Sequence, residues 1–188
     1  ASKMDEAEKL VASVVEAFGT VDIVVNNAGI TDDTLLMRMS EDQWDRVVEV
    51  NLKSCFALTK AVLRTMLKAR SGSIINISSI CAVASFKGLT HYSASKAALE
   101  QLTRVMGHEL AEKKIRVNAL APGYLMTDMV ADYYATEAGQ KDLQTLPLGR
   151  AGDLAELDGV LLLLASDASS YMSGSVITAD AGHSIRLG

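Results

Sequence analysis

Four short apolar runs alternate along the chain with segments of helical hydrophobic period. The runs occupy residues 21–26, 73–79, 115–121 and 175–180 and are rich in β-branched residues. Such runs are typical of strands buried on both faces of a parallel sheet. Strands that alternate with helices need right-handed crossovers and place helices on both faces of the sheet. We therefore predict an α/β fold with a doubly wound parallel sheet of four strands.

The helical period occurs in residues 5–18, 40–70, 92–112 and 153–166. At residue 40 a serine precedes acidic residues, which is typical of a capped helix start. Residues 123–149 are long, polar and irregular, with at most one short helix expected. An insertion of this length is typical of a lid or a substrate-binding loop.

Composition predicts one soluble globular domain over residues 1–188. The chain is 49% hydrophobic and 22% charged, which is enough to bury a core without any linker. No apolar run is long enough to span a bilayer, and the charged first residues resemble neither a signal nor a transit peptide. We therefore expect a cytoplasmic protein with no membrane partner.

Charge and cysteine content exclude further classes. The formal net charge of -5 argues against nucleic-acid binding, which normally needs a basic face. Cys55 and Cys81 lie in apolar stretches without metal-ligand spacing, so we expect buried, reduced thiols and no metal site.

Small or polar residues follow three of the predicted strands. Ligands bind outside the carboxyl ends of parallel strands, so these residues should share one edge of the sheet. Turns that merely end the strands would account for each of them singly. The residues are Asn26, Asn27, Ala28 and Gly29 after the first strand, Ser78 and Ser79 after the second, and Pro122 and Gly123 after the third.

Tyr92 and Lys96 lie four positions apart in a predicted helix, so they share one helical face. An ammonium favours the phenolate, so we expect Lys96 to lower the pKa of Tyr92 from about 10. Ser79 lies thirteen residues before the tyrosine. An exposed helical face is the alternative interpretation of the pair, but its combination with the strand-end residues favours a proton donor in a cleft.

Five motifs in this order resemble those of the short-chain dehydrogenase/reductase family, of the classical type. They are NNAG at residues 26–29, Asn51, Ser79, the YxxxK pair Tyr92 and Lys96, and Pro122-Gly123 with Thr127 beyond. The resemblance covers essentially the whole chain. It implies a Rossmann-like fold and hydride transfer between a nicotinamide cofactor and a carbonyl or alcohol.

The resemblance implies a role for each catalytic candidate. Tyr92 would donate the proton to the nascent alkoxide, and Lys96 would lower its pKa while binding the nicotinamide ribose. Ser79 would hold the substrate oxygen. Asn51 would position a water for a proton relay through Lys96. Ser78 could replace Ser79 as the reactive serine, and Asn51 could instead be a helix residue bonded to neighbouring backbone.

The resemblance also implies which residues bind the cofactor. Asn27, Ala28 and Gly29 would line its adenosine-ribose side. The nicotinamide half would contact Tyr92, Lys96, Pro122, Gly123, Leu125 and Thr127. Thr127 could alternatively be an ordinary helix N-cap.

Residues 26–44 are similar to the corresponding stretch of the 3-oxoacyl-[acyl-carrier-protein] reductase subfamily. This similarity implies reduction of a 3-oxoacyl thioester in fatty acid synthesis, NADP(H) rather than NAD(H), and a homo-oligomer, a tetramer by resemblance. Arg70 and Lys113 match positions that present cations to the acidic carrier protein. Both residues could instead be cations that stabilise helix C-termini.

The C-terminal part departs from that subfamily. Residues 124–146 are longer and richer in tyrosine than expected, and the tail reads TADAGHS where DGG or NGG is usual. A ketoreductase or secondary-alcohol dehydrogenase for another substrate therefore stays open.

The family's glycine-rich TGxxxGxG turn and its first three strands would precede Ala1. We accordingly expect a fold truncated at its N-terminus, most simply because the sequence is a piece of a longer chain. The first strand of the remaining sheet would then be a bare apolar edge. Two alternatives stay open. The missing half of the fold could be a separate chain that pairs with this one, or the sequence could be a natural short form that acts as a non-catalytic oligomerisation module.

Overall fold

The computed structural model describes residues 3–185. Seven helices and four strands form within them. In chain order they are α1 (Met4–Phe18), β1 (Ile23–Asn26), α2 (Glu41–Val48), α3 (Ser54–Ala69), β2 (Gly72–Ile77), α4 (Thr90–Ala111), β3 (Ile115–Pro122), α5 (Asp128–Tyr134), α6 (Glu137–Thr145), α7 (Asp158–Ala165) and β4 (Val176–Ala179).

The four strands form one sheet in the order β1-β2-β3-β4, and all neighbouring pairs are parallel. Ile23 is opposite Ser73, and Gly72 is opposite Ile115. Because every strand runs the same way, all carboxyl ends meet at one edge. The predicted α/β fold with a parallel sheet of four strands is confirmed.

Helices cover both faces of the sheet. On one face α1, α3 and α4 pack against the strands through a core that includes Val11, Val62 and Met106. On the other face α7 places Leu164 against Ile75 and Leu120. These two apolar layers hold the strand ends in fixed positions.

Two predicted segments differ from the structure. The expected continuous helix over residues 40–70 contains a π-helical turn, Glu49–Lys53, between α2 and α3. The segment 123–149 forms two helices, α5 and α6, rather than at most one. Thr136 starts α6 by accepting a hydrogen bond from the Gly139 N–H, a capping interaction that the irregular pattern of the segment concealed.

Four buried polar side chains, here called the polar ladder, form hydrogen bonds on the face of the sheet that α3 and α4 cover. Asn26 Nδ2 donates to Asn76 Oδ1 at 2.8 Å and to Thr59 Oγ1 at 3.3 Å. Asn76 Nδ2 in turn donates to Thr103 Oγ1 at 2.8 Å. The ladder thereby ties β1 and β2 to helices α3 and α4.

Strand β1 lies at one edge of the sheet and leaves apolar surface open. Ile23 and Val25 are each 46% exposed, whereas Val24 between them packs into the core. This is the apolar edge expected from the sequence. Over the residues that the structure describes, no helix combines the length and apolar character needed to cross a bilayer.

Candidate active site

A cavity of about 450 Å³, here called the cleft, opens at the carboxyl ends of the strands. It gathers residues from three strand ends and from the start of α4, as the strand-end rule predicts. Ala28, Asn51 and Thr127 do not line it. The predicted site residues that do are Asn27, Gly29, Ser79, Tyr92, Lys96, Pro122, Gly123 and Leu125.

Lys96 is buried at the inner end of the cleft. Its Nζ donates a hydrogen bond of 2.8 Å to the Ile77 carbonyl oxygen and lies 5.5 Å from the centre of the Tyr92 ring. Burial lowers the pKa of Lys96 below its usual value, against smaller opposite effects of Cys55 and Cys81. The shared helical face of Tyr92 and Lys96 is as predicted.

The prediction that Lys96 lowers the pKa of Tyr92 is wrong for this structure. Burial raises the pKa of Tyr92, and the hydrogen bond with Ser79 lowers it by less. The ammonium engages the Ile77 carbonyl and faces the tyrosine ring. At neutral pH the phenol is therefore protonated.

The two serines after β2 differ in their partners. Ser78 is buried, and its hydroxyl donates to Glu100 Oε1 at 3.0 Å. Ser79 Oγ accepts a hydrogen bond of 3.2 Å from the Cys81 N–H, and the interaction of its side chain with the Tyr92 hydroxyl lowers the pKa of Tyr92. Of the two serines, Ser79 is therefore the one whose side chain interacts with the Tyr92 hydroxyl in the cleft.

Asn51 lies fully buried in the π-helical turn. Its Oδ1 accepts from the Ile30 N–H at 2.8 Å, and its Nδ2 donates to the Ile30 carbonyl at 3.0 Å and to Ser95 Oγ at 3.2 Å. Two of these bonds go to the backbone of Ile30, which agrees with the alternative interpretation of Asn51 as a helix residue bonded to neighbouring backbone. The side chain thereby fixes the loop after β1 against α4. π-Helical turns are frequent at functional sites.

Glycine backbone approaches the site closely at two points. A Cβ on Gly29 would lie 3.4 Å from Lys96 Nζ and 3.6 Å from Asn51 Oδ1. A Cβ on Gly123 would lie 2.7 Å from Asp180 Cβ. The loop after β1 thus lies close to the ammonium and the turn after β3 lies against Asp180, each with little room for a side chain.

The remaining predicted residues lie outside the cleft. Thr127 is at the N-cap position of α5, but its side chain makes no capping hydrogen bond, so its hydroxyl is not used for capping. Arg70 and Lys113 precede β2 and β3, at the sheet edge opposite the cleft. Arg70 Nη2 donates to the Glu112 carbonyl at 3.4 Å.

Three aromatic rings at the outer side of the cleft were missed by sequence reasoning. The ring of Tyr124 lies 5.9 Å from that of Phe86 and 5.5 Å from that of His183, between centroids. Burial raises the pKa of Tyr124 to about 12, with smaller contributions from Cys81, Tyr134, Asp142 and Asp33. Tyr124 follows Pro122-Gly123 directly, so the strand-end rule could have found it. Phe86 and His183 come from distant segments and carried no such signal.

Comparison with known proteins gives similarity along nearly the whole chain. The family model described as Enoyl-(Acyl carrier protein) reductase matches residues 1–184. The chain is 46% identical over 178 residues to the 3-oxoacyl-[acyl-carrier-protein] reductase FabG of Thermotoga maritima, covering 95% of this chain and 72% of that protein. It is 44% identical over 181 residues to FabG of Chlamydia muridarum, covering 96% and 73%.

A solved structure shows the same architecture. The gluconate 5-dehydrogenase from Burkholderia cenocepacia J2315, in complex with NADP and tartrate, superposes with a TM-score of 0.94 at 32% identity. The match covers 99% of this chain and 73% of that chain.

Proposed function

Because the chain belongs to the short-chain dehydrogenase/reductase family, we propose that it reduces the 3-oxo group of an acyl thioester carried by an acyl carrier protein, with a nicotinamide cofactor as reductant. One observation carries the proposal: Ser79, Tyr92 and Lys96 meet in a single cleft at the carboxyl edge of the sheet. The names of the FabG relatives support the 3-oxoacyl substrate.

The residues of the cleft fit a nicotinamide cofactor. Gly29 brings backbone close to the buried ammonium, where a Cβ would lie 3.4 Å from Lys96 Nζ, and Gly123 lines the same cleft. Lys96 would bind the nicotinamide ribose, while Asn27, Ala28 and Gly29 would line the adenosine-ribose side. When bound, the cofactor supplies the hydride. The nicotinamide half would contact Tyr92, Pro122, Gly123, Leu125 and Thr127.

Tyr92 and Ser79 would complete the reduction. Burial keeps the pKa of Tyr92 above its usual value, so the phenol holds the proton that the new alcohol oxygen needs. Ser79 Oγ already accepts from the Cys81 N–H. Its own O–H can therefore donate to the carbonyl oxygen, where negative charge develops. Asn51 would act by fixing the loop after β1 and by positioning a water beside Lys96.

We propose NADPH rather than NADH, supported by the NADP complex of the Burkholderia enzyme. A cytoplasmic homotetramer, in whose subunits residues 1–188 form the C-terminal two-thirds of one Rossmann-like domain, stays part of this proposal. Arg70 and Lys113 would contact the acidic carrier from the opposite edge of the sheet. Charge reversal at both residues should raise KM for a carrier-linked thioester and leave KM for a carrier-free thioester unchanged. Equal KM changes for both substrates would refute a docking role.

A second function is oxidation of a secondary alcohol on a sugar acid. The observation that favours it is the likeness to the gluconate 5-dehydrogenase, at a TM-score of 0.94. That enzyme's name describes a polar, hydroxylated substrate, whereas the FabG relatives are named for acyl substrates.

One assay separates the two functions. Oxidation of NADPH and NADH is followed at 340 nm with acetoacetyl thioester, with 5-ketogluconate and with a simple ketone. We expect the largest kcat/KM for the thioester with NADPH. A larger kcat/KM for 5-ketogluconate would support the second function and overturn the first.

A further inference from the structure

Three consecutive residues contact α4 at the point where β2 ends. The Ile77 carbonyl accepts the 2.8 Å hydrogen bond from Lys96 Nζ, and the Ser79 side chain interacts with the Tyr92 hydroxyl. Both contacts belong to the proposed proton-donor site. The residue between them, Ser78, has a contact with α4 of its own, and the proposed reduction gives that contact no role.

Glu100 of α4 accepts the hydrogen bond of Ser78. Ser78 Oγ lies 3.0 Å from Glu100 Oε1, whereas its distance of 3.5 Å to the Lys96 carbonyl is too long for a second strong bond. Ser78 and Glu100 are only 3% and 5% exposed. The Ser78 N–H donates to the Leu120 carbonyl on β3 at 2.7 Å. Ser78 is thus held from the helix and from the neighbouring strand.

A carboxylate at this position is costly unless it has partners. Among the residues whose burial the structure describes, Glu100 is the one buried acid. Its Oε2 lies 3.4 Å from Arg104 Nη2, one turn further along α4. An apolar residue of similar volume would fill the same space without the desolvation cost of a charge, so packing alone does not explain the carboxylate.

We propose that Glu100 is a positioning residue, which holds Ser78 against α4 and thereby places the Ser79 hydroxyl beside Tyr92. This inference rests on the proposed function. Tyr92 and Glu100 recur on one face of α4, with Lys96 between them at four-residue intervals. Because one planar peptide bond joins Ser78 to Ser79, fixing the first serine limits where the second can lie.

The position of Glu100 separates its effect on turnover from an effect on binding. Glu100 does not line the cleft, so its loss removes no contact with a substrate or cofactor there. Misplacing a reacting group by about 1 Å can slow a reaction by about 10²-fold. Release of Ser78 should therefore lower kcat, because the Ser79 hydroxyl is displaced from the carbonyl oxygen, and should leave the binding constants nearly unchanged.

The test compares Glu100→Leu, which has no hydrogen-bond acceptor, with Glu100→Gln, whose amide oxygen can still accept from Ser78. Both variants are assayed for NADPH-dependent reduction of an acetoacetyl thioester. We expect kcat to fall about 10- to 100-fold in Glu100→Leu, with KM and cofactor Kd within about twofold of the wild type. Glu100→Gln should keep most of the wild-type kcat. Unchanged kcat in Glu100→Leu, or equal losses in the two variants, would overturn the inference.

Thr103→Val is the matched control, because it also removes one buried hydrogen bond between α4 and β2, the 2.8 Å bond from Asn76 Nδ2. It should lower stability and keep the wild-type kcat. A loss of kcat equal to that of Glu100→Leu would attribute the effect to loosened packing and overturn the inference.

Ser78→Ala removes the same hydrogen bond from the donor side with a small change in volume. It serves as the test if Glu100→Leu does not fold. Its kcat should fall in the same range as that of Glu100→Leu, again with KM nearly unchanged. A wild-type kcat in Ser78→Ala would overturn the inference.

A spectroscopic measurement separates this inference from the proposed function. A wild-type protein that reduces no thioester refutes the proposed function alone. The ¹³Cζ resonance of Tyr92 reports hydrogen bonding at the phenol without turnover. It should shift in Glu100→Leu and Ser78→Ala and stay in place in Glu100→Gln and Thr103→Val. An unshifted resonance in the first two variants would overturn the positioning role of Glu100.

Discussion

Lys96 Nζ donates its hydrogen bond to the carbonyl oxygen of Ile77, the last residue of β2, at 2.8 Å. The ammonium is thereby fixed at the end of a central strand, 5.5 Å from the centre of the Tyr92 ring. Burial therefore dominates the pKa of Tyr92. The pair is arranged to keep a neutral phenol and a buried cation side by side.

Replacing Tyr92 with Phe should remove the proton donor and little else. We expect kcat to fall by about 10²–10⁴-fold, because general acid catalysis contributes that much, while cofactor Kd stays within twofold of the wild type. Steady-state kinetics and cofactor titration measure the two quantities. Tyr171→Phe, at a fully exposed tyrosine, is the matched control. Unchanged turnover in Tyr92→Phe would mean that another group donates the proton.

The buried Lys96 predicts a pH dependence of stability. Burial lowers its pKa in the folded state, whereas the unfolded chain holds this proton up to about pH 10.5. Between these values the unfolded state binds more protons, so the free energy of unfolding should rise with pH in that window. Lys96→Met should lose this rise, as measured by urea unfolding from pH 7 to 10.

The control for net charge is Lys9→Met, because the side chain of Lys9 is 78% exposed. Loss of the same pH-dependent rise in Lys9→Met would attribute the effect to net charge instead of burial. A rise that persists in Lys96→Met would contradict the assignment directly.

Asn51→Asp should loosen the loop after β1. The amide donor that serves the Ile30 carbonyl and Ser95 becomes an acceptor, leaving these groups without it. We expect a loss of about 1–3 kcal/mol in the free energy of unfolding, as measured by urea unfolding. Asn27→Asp, at an exposed position, is the stability control. Equal stability of both variants would show that the hydrogen bonds between Asn51 and Ile30 do not stabilise the loop after β1.

Gly123→Ala should strain the turn after β3. The new Cβ would lie 2.7 Å from Asp180 Cβ and 2.8 Å from Asp180 Cα, so we expect a destabilisation of about 1–3 kcal/mol. Gly159→Ala in α7 meets nothing within 4 Å and should stabilise by about 0.5–1 kcal/mol through helix propensity. Urea unfolding of the two variants gives both values, and effects of the same sign would contradict the packing argument.

The sheet could be predicted because parallel strands buried on both faces leave continuous apolar runs. Strand β3 begins at Ile115 as expected and ends at Pro122, one residue later than predicted. The strand-end rule then placed Asn27, Ser79 and Gly123 at one edge without any knowledge of side-chain packing. Local pattern and topology were sufficient for both results.

The features that sequence did not predict depend on contacts between distant segments. The π-helical turn at Asn51 accompanies hydrogen bonds to Ile30, which no helical periodicity contains. The direction of the Tyr92 pKa depends on burial and on where the Lys96 ammonium points, and helical spacing determines neither. The same holds for the aromatic contact of His183 with Tyr124.

The polar ladder also selects how β1 and β2 align. Asn26 is directly opposite Asn76 and bonds to it, whereas a slip of one residue would turn Asn26 to the other face of the sheet and bury Asn76 without this partner. Buried amides without partners are costly, so misaligned pairings are disfavoured during folding. The buried amides of Asn26 and Asn76 thus help to fix the register of β1 against β2. This register determines which residues follow the two strand ends at the cleft before any ligand binds.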